Sequence, residues 1–363
     1  MVQSQILAPP SLAAATSENR PLTSIRGIAA LGVFVTHVGV AFWPFLPRPM
    51  AIAMLCGWMG VDLFFVLSGF ILITVYETLQ PQKWGRFWAK RVVRLFPLNT
   101  FILCVLAALA LAGYQTGTRI DWPNLPLHFF MLQSFVPGHK PGWIFNTWSV
   151  GVELICYLVF PWLVMRLRTL SRTALIEATL LIAAITWHIQ IHVLASFWGM
   201  DAVMRGGSEF LLGCAVGLLA RRLPQLPPRT ATALECVALT ALIFGVTGGF
   251  GHDWCVAPGS WRMASVPLSA ALLILALSND SGRIARLLRI KPLYWLGQIS
   301  FSLYLLHGPM IERNASYAWV MAGGATPRVR IILLWAACVL AATLLMSALT
   351  YRFVEEPARK IIK

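Results

Sequence analysis

Long apolar segments separated by short polar ones make up nearly the whole chain. Ten segments are long and apolar enough, or nearly so, to cross a membrane as helices. They cover residues 24–46, 57–79, 95–113, 143–166, 173–194, 204–220, 231–249, 263–279, 293–313 and 329–351. This pattern predicts an all-α polytopic membrane protein with about ten transmembrane helices, which form one domain over residues 24–351.

The composition agrees with that class. Of 363 residues, 58% are hydrophobic and only 12% are charged, whereas a soluble domain carries about 25% charged residues. The net charge of +15 is spread between the apolar segments and forms no single block. We therefore expect the lipid bilayer as a partner and no nucleic acid. Residues 1–23 lack the features of a signal peptide, so we predict a disordered cytoplasmic leader there.

The distribution of basic residues predicts an orientation. With the N-terminus inside, 21 of the 29 lysine and arginine residues fall in segments on the cytoplasmic side, and the other eight are thinly spread over the outer side. Positive residues concentrate on the cytoplasmic side of membrane proteins. The chain is therefore predicted to have both termini in the cytoplasm, and residues 352–363 are predicted to form a solvated cytoplasmic tail.

The cysteines give little indication of chemistry. Seven are scattered singly, with no CxxC pair and no spacing typical of a metal site, so no metal is predicted. Cys56 and Cys255 both fall near the predicted outer face, where a disulfide between them is one possibility.

His37 is the first candidate for chemistry. Only apolar and small residues separate Arg26 from His37, and eleven helical positions span roughly 16 Å. An arginine at one membrane surface would place the histidine near the middle of a hydrocarbon core about 30 Å thick. An ionisable ring at that depth is a functional hypothesis. The alternative is a histidine packed between helices and satisfied by a neighbour.

Glu153 is expected at a depth similar to that of His37, because it lies about ten residues into the fourth, inward-running segment. A histidine and a carboxylate at one depth suit a base and the group that orients it. The alternative is a structural carboxylate that pairs with an arginine or a backbone group.

Arg91 and Arg94 belong to a basic cluster just before the third apolar segment. Their i, i+3 spacing puts them on one helical face, where guanidinium groups bind phosphate bidentately. Contact with anionic lipid heads is the alternative. Asp62 lies in the outer third of the second segment and needs a buried partner. His307, next to Tyr304 on the ninth segment, lines a cavity or packs between helices.

These residues together resemble the acyltransferase type 3 family of integral membrane acyltransferases. Each motif is weak alone, but six of them occur in the family's order along nearly the whole transmembrane region. The motifs are Arg26 with ten residues before His37, residues 60–70 (GVDLFFVLSGF), residues 91–94 (RVVR), residues 148–153 (WSVGVE), residues 300–307 (SFSLYLLH) and residues 354–357 (VEEP).

The resemblance implies an enzyme of the bacterial cytoplasmic (inner) membrane. Such enzymes move an acyl group, usually acetyl, from cytoplasmic acyl-CoA to a hydroxyl of a carbohydrate acceptor such as O-antigen, exopolysaccharide or peptidoglycan. By this analogy His37 is the catalytic histidine. From depth alone we expect Glu153 or another buried acid to orient it. His37 either takes the acyl group briefly or deprotonates the acceptor hydroxyl.

The same analogy assigns the remaining site residues. Arg91 and Arg94 would hold the phosphates of CoA, and Arg26 would help at the inner mouth of the site. Beside this analogy, we expect Asp62, Ser149, Tyr304 and His307 as supporting residues. The family usually has a second serine where this chain has Gly151, which we interpret as a packing adjustment.

A different class of function remains open from the residues alone. A proton-coupled transporter or flippase would also need His37 and Glu153 near the midplane, as a proton relay. No inverted repeat is apparent in the sequence, and a transporter has less reason to place two arginines below the histidine. A non-catalytic scaffold would leave the buried ionisable residues unexplained.

Overall fold

A computed structural model describes residues 19–114, 120–136, 142–194, 199–247 and 260–362. These residues form helices and connecting turns, with no strand among them. The helices are α1 (Arg20–Phe42), α2 (Arg48–Leu55), α3 (Gly60–Tyr76), α4 (Trp84–Leu111), α5 (Leu125–Phe129), α6 (Trp148–Leu167), α7 (Arg172–His188), α8 (Gly199–Arg222), α9 (Pro228–Thr247), α10 (Trp261–Ser278), α11 (Arg283–Leu288), α12 (Lys291–Gln298), α13 (Ser300–Met321), α14 (Val329–Thr350) and α15 (Glu356–Ile361).

Nine helical stretches of the described chain are long and apolar enough to cross a membrane. The predicted all-α membrane class is therefore confirmed. The expected span 293–313 is the exception, because the structure divides it between α12 and α13. Helix α13 has 22 residues, but His307, Glu312 and Arg313 lower its apolar character.

Helix α1 begins four residues before the predicted boundary at residue 24. The side chain of Asn19 accepts a hydrogen bond from the backbone N–H of Leu22, and Pro21 occupies the first turn. Both features favour a helix start, because the first turn has N–H groups without helical partners and proline lacks one. The rest of the predicted leader, residues 1–18, lies outside the described residues.

Helix α3 lies at the centre of the bundle and packs against α1, α6, α8 and α10. Its contact with α8 is close because glycines remove side chains from the interface. A Cβ at Gly69 would lie 2.0 Å from the carbonyl oxygen of Phe210, and one at Gly213 would lie 1.9 Å from that of Val66. Small residues that let backbones approach are typical of helix pairs in membranes.

The last described residues pack against the bundle. A π-helical turn, Tyr351–Glu355, follows α14 and leads into α15, and both the turn and α15 pack against α4. Residues 352–362 thus continue the last long helix. Within the predicted tail Glu355 is only 2% exposed, whereas Arg352, Phe353, Lys360 and Ile361 are exposed.

Cys56 follows α2 and is disulfide-bonded. Cys255, the partner considered from the sequence, lies outside the described residues. The other five cysteines have free thiols.

Candidate active site

A cavity of about 450 Å³ lies among α3, α4, α6, α13 and α15. The chemical type of the lining side chains differs between its two ends. Basic side chains line one end, near the last turn of α3, and hydroxyl groups line the other. The basic lining residues are Arg26, Lys90, Arg91, Arg94 and Arg359. The cavity therefore offers an anion-binding end, which we call the basic end.

Arg91 has no carboxylate partner among the described residues. Its Nη2 donates to the hydroxyl of Tyr76 at 3.2 Å, and its Nε is buried without a hydrogen bond. The guanidinium carbon lies 5.5 Å from the ring centre of Tyr76 and 5.6 Å from those of Phe87 and Tyr157. Aromatic rings thus hold the cation in place while its charge stays available to an anionic ligand.

Arg94 shares a buried carboxylate with Arg359. Nη1 of Arg94 lies 4.0 Å from Oε2 of Glu355, and Nη2 of Arg359 donates to the same oxygen at 2.5 Å. The other oxygen of Glu355 accepts a hydrogen bond from the hydroxyl of Ser302. Glu355 thus ties α15 to α13 and α4, and it offsets part of the positive charge.

Arg26 projects from the first turns of α1 into the same end of the cavity. Its Nε donates to the hydroxyl of Ser300 at 2.9 Å, and its Nη2 donates to the carbonyl of Gly297 at 3.0 Å. The structure therefore brings together Arg26, Arg91 and Arg94, which the sequence analysis placed at one site.

Glu153 lines the cavity beyond the basic end. Its Oε1 accepts hydrogen bonds from the hydroxyl of Ser68, at 2.6 Å, and from that of Tyr157. Both hydroxyl donors therefore end on the same oxygen of the carboxylate.

Ser149 and Tyr304 line the end of the cavity opposite the arginines. Their hydroxyl oxygens are 2.6 Å apart, so one donates to the other, and they lie 3.3 and 3.1 Å from the backbone carbonyl oxygen of Asn146. The ring of Tyr304 lies 5.6 Å from that of His307. Tyr304 therefore separates the cavity from the histidine behind it.

His37 and His307 form a pair across α1 and α13. Nε2 of His307 lies 3.2 Å from Nδ1 of His37, and the ring centres are 4.8 Å apart. The ring of Phe145 packs against His37 at 4.9 Å. His307 is fully buried, whereas His37 is partly exposed.

The backbone bond of His37 determines which ring nitrogen can react. Nδ1 lies 2.8 Å from the carbonyl oxygen of Val33, one helical turn earlier. A carbonyl oxygen only accepts, so Nδ1 carries the proton and Nε2 keeps the lone pair. Nε2 accepts no hydrogen bond from the described residues. It is thus the atom that can act as base or nucleophile, while His307 can share the positive charge that then forms on the ring.

The expected contact between His37 and Glu153 is wrong. Their depths along α1 and α6 follow from residue spacing, but α1 turns His37 toward α13 while Glu153 points into the cavity beside α3. His307 occupies the orienting position that was expected for Glu153. The proton relay of the transporter alternative also loses its direct link, since no hydrogen bond between described residues joins these two side chains.

Asp62 has the buried partner that its position in the membrane requires, Arg205 of α8. Nε and Nη2 of Arg205 donate to Oδ1 of Asp62 at 2.8 and 2.6 Å, and Glu209 lies 3.7 Å from the same guanidinium. Gln190 donates to Glu209. All four side chains are at most 1% exposed. This group packs behind the cavity and joins α3 to α8.

Sequence reasoning missed four side chains of the site. These are Ser68, Tyr157, Glu355 and Arg359. Tyr157 follows Glu153 by four residues, a spacing that puts both on one face of a helix and so offered a signal. Glu355 belongs to the motif at residues 354–357. The hydrogen bonds of Ser68 to Glu153 and of Ser302 to Glu355 join distant parts of the chain, and no local spacing indicates them.

Comparison with known proteins identifies the family of this chain. The profile of the acyltransferase type 3 family, described as an acyltransferase domain, matches residues 21–352. This chain belongs to that family of integral membrane acyltransferases.

Among individual relatives, the peptidoglycan O-acetyltransferase OatA of Listeria monocytogenes is 26% identical over 93% of this chain and 55% of its own length. The O-acetyltransferase OatA of Staphylococcus aureus is 26% identical over 93% of this chain and 57% of its own length. YrhL of Bacillus subtilis is 28% identical over 84% of this chain and 50% of its own length. The chain thus spans about half the length of these relatives. No solved structure matches it.

Proposed function

We propose that this protein moves an acyl group, normally acetyl, from cytoplasmic acyl-CoA to a hydroxyl of a cell-surface carbohydrate. The family supports acyl transfer, and the names of the OatA relatives support an O-acetyl product. The acceptor class is carried over from the peptidoglycan O-acetyltransferase among them. The observation that carries the donor is the basic end of the cavity, where Arg91 has no carboxylate partner among the described residues.

Charge and cysteine chemistry support the orientation that this reaction needs. Most basic residues fall on the side of the basic end, which the positive-inside rule places in the cytoplasm. Cys56 precedes α3 at the opposite end of that helix and is disulfide-bonded. Disulfides persist in oxidising compartments. The basic end would therefore face the cytoplasm, in the inner membrane, where acyl-CoA is available.

In the reaction, the phosphates of the donor would bind Arg91, Arg94 and Arg26, and the thioester would extend past Tyr304 to reach His37. Nε2 of His37 would take the proton of the acceptor hydroxyl as its oxygen attacks the thioester carbonyl. The CoA thiolate leaves and is protonated. In the alternative route through an acyl-histidine, the same Nε2 forms the bond to the acyl carbon, and the acceptor oxygen then displaces it.

The helices around the far end of the cavity would shield the thioester. Tyr304 lines this end and lies against His307, and Phe145 packs against His37. Exclusion of water limits hydrolysis of a reactive acyl group.

Binding of acetyl-CoA to the purified protein in detergent tests the donor. We expect the double variant Arg91→Ala/Arg94→Ala to lose at least tenfold in affinity, because each arginine makes charge-assisted bonds to phosphate. Arg172→Ala is the matched control, since Arg172 is exposed at the start of α7 and does not line the cavity. Folded wild-type protein that binds no acetyl-CoA would contradict the proposal.

A further inference from the structure

Glu153 presents one carboxylate oxygen to the cavity. Both hydrogen bonds from Ser68 and Tyr157 end on Oε1. Oε2 accepts none from the described residues, and it is not sealed within the protein. An ionised carboxylate can accept hydrogen bonds but cannot donate one. The cavity therefore contains an unused acceptor, which calls for an N–H or O–H donor on the ligand.

Tyr157 keeps this acceptor apart from the nearest arginine. Its hydroxyl donates to Glu153, and its ring lies 5.6 Å from the guanidinium carbon of Arg91. Arg91 directs its own Nη2 to Tyr76 instead. The carboxylate and the guanidinium thus line one cavity without forming an ion pair, so each remains available to a different part of a ligand.

Helical spacing puts Glu153 midway along the cavity. Ser149, Glu153 and Tyr157 follow one another at intervals of four residues on α6, and each step rises about 6 Å. Tyr157 is level with the arginines, and Ser149 is level with Tyr304. A ligand with phosphates at the basic end would therefore meet Glu153 between its phosphates and its reactive end.

We infer that Glu153 is a positioning residue that accepts a hydrogen bond from an amide N–H of the donor's phosphopantetheine arm. This inference rests on the proposed function. The arm carries two amide N–H groups and one hydroxyl between its phosphate and its thioester, which matches the order of groups along the cavity. The role differs from the orientation of His37, which the structure gives to His307.

Two donors share this arm, namely acyl-CoA and a loaded acyl carrier protein. Five basic residues line the cavity, which suits the three phosphates of CoA better than the single phosphate of the carrier-bound arm. Binding measured with acetyl-CoA and with acetylated carrier protein separates the two sources.

The test compares two probes that differ in the arm, measured on the full-length protein in detergent. Acetyl-CoA contains the arm, whereas adenosine 3′,5′-bisphosphate contains phosphates without it. We expect Glu153→Ala to weaken the binding of acetyl-CoA about tenfold to a hundredfold, the usual effect of losing a hydrogen bond to a charged group. The affinity for the bisphosphate should stay within twofold of the wild-type value. Glu153→Gln keeps an acceptor oxygen and should lose less.

Two other variants serve as controls. Arg91→Ala should weaken the binding of both probes, because Arg91 would contact phosphate, which both probes contain. Glu177→Gln removes a carboxylate from the exposed surface of α7, away from the cavity, and should change the affinity for neither probe.

Three outcomes would overturn the inference. If Glu153→Ala bound acetyl-CoA as tightly as the wild type, the inference would be wrong while the proposed function would stand. Equal losses for both probes would show that Glu153 only maintains the cavity. Wild-type protein that binds neither acetyl-CoA nor acetylated carrier protein would overturn the proposed function together with the inference.

Discussion

His37 and His307 illustrate how a single hydrogen bond defines a role at the residue scale. The carbonyl of Val33 fixes the proton on Nδ1 of His37, which leaves Nε2 to react. His307 then lies beside the ring edge where positive charge would collect. A neutral second histidine in this position can accept a hydrogen bond from the ring of His37 and so orient it, without the negative charge that a carboxylate supplies in other catalytic sites.

Substitution of the two histidines should therefore give different losses. His37→Gln removes the reacting atom and should abolish acetyl transfer. His307→Gln should lower kcat about 10²- to 10⁴-fold, the range typical of acid–base catalysis, while the affinity for acetyl-CoA stays near that of the wild type. Transfer assays with membranes, normalised to protein inserted, provide the measurement. Full activity in His307→Gln would show that the pair is only a packing contact.

At the scale of elements, the α3–α8 contact holds the wall of the cavity. Val66 and Gly69 face α8 at the point where Gly213 approaches, and Ser68 of the same turn bonds Glu153. A shift of α8 would therefore move groups that line the donor site.

Gly213→Ala should destabilise this contact because its Cβ would lie 1.9 Å from a backbone oxygen. Overpacking of this kind costs about 1–3 kcal/mol of unfolding free energy. Gly207→Ala on the same helix is the control, since a Cβ there meets nothing within 4 Å and alanine favours helix. Unfolding by SDS in mixed micelles measures both. Equal stability of the two variants would contradict the packing argument.

At the scale of the whole molecule, the cavity runs from its basic end to Tyr304, behind which the histidine pair lies deeper in the bundle. The basic end must face the cytoplasm for acyl-CoA to reach it. The charge bias of the sequence predicts that orientation, and the disulfide at Cys56 supports it.

Labelling of introduced cysteines checks this orientation. Lys360 belongs to α15, beside the basic end of the cavity, and Arg48 is the first residue of α2, near the disulfide-bonded Cys56. Each is replaced by cysteine in turn. In spheroplasts, a membrane-impermeant maleimide should label Arg48→Cys directly and Lys360→Cys only after permeabilisation. The reverse pattern would put the basic end outside and remove cytoplasmic acyl-CoA as the donor.

Residue spacing and composition determined much about this protein. The apolar pattern predicted the all-α membrane class, and the ordered motifs predicted the family, both of which are confirmed. The i, i+3 spacing also placed Arg91 and Arg94 in one site. These predictions succeed because helical rise and hydrophobicity are properties of single segments.

Only the tertiary structure decided which side chains meet. Residue spacing gave the depth of His37 and Glu153, but the rotation of each helix and the identity of its neighbours paired His37 with His307 and Glu153 with Ser68. The π-helical turn likewise carried Glu355 from a predicted solvated tail into the site. Such contacts join residues far apart in the chain, and they depend on how all the helices pack at once.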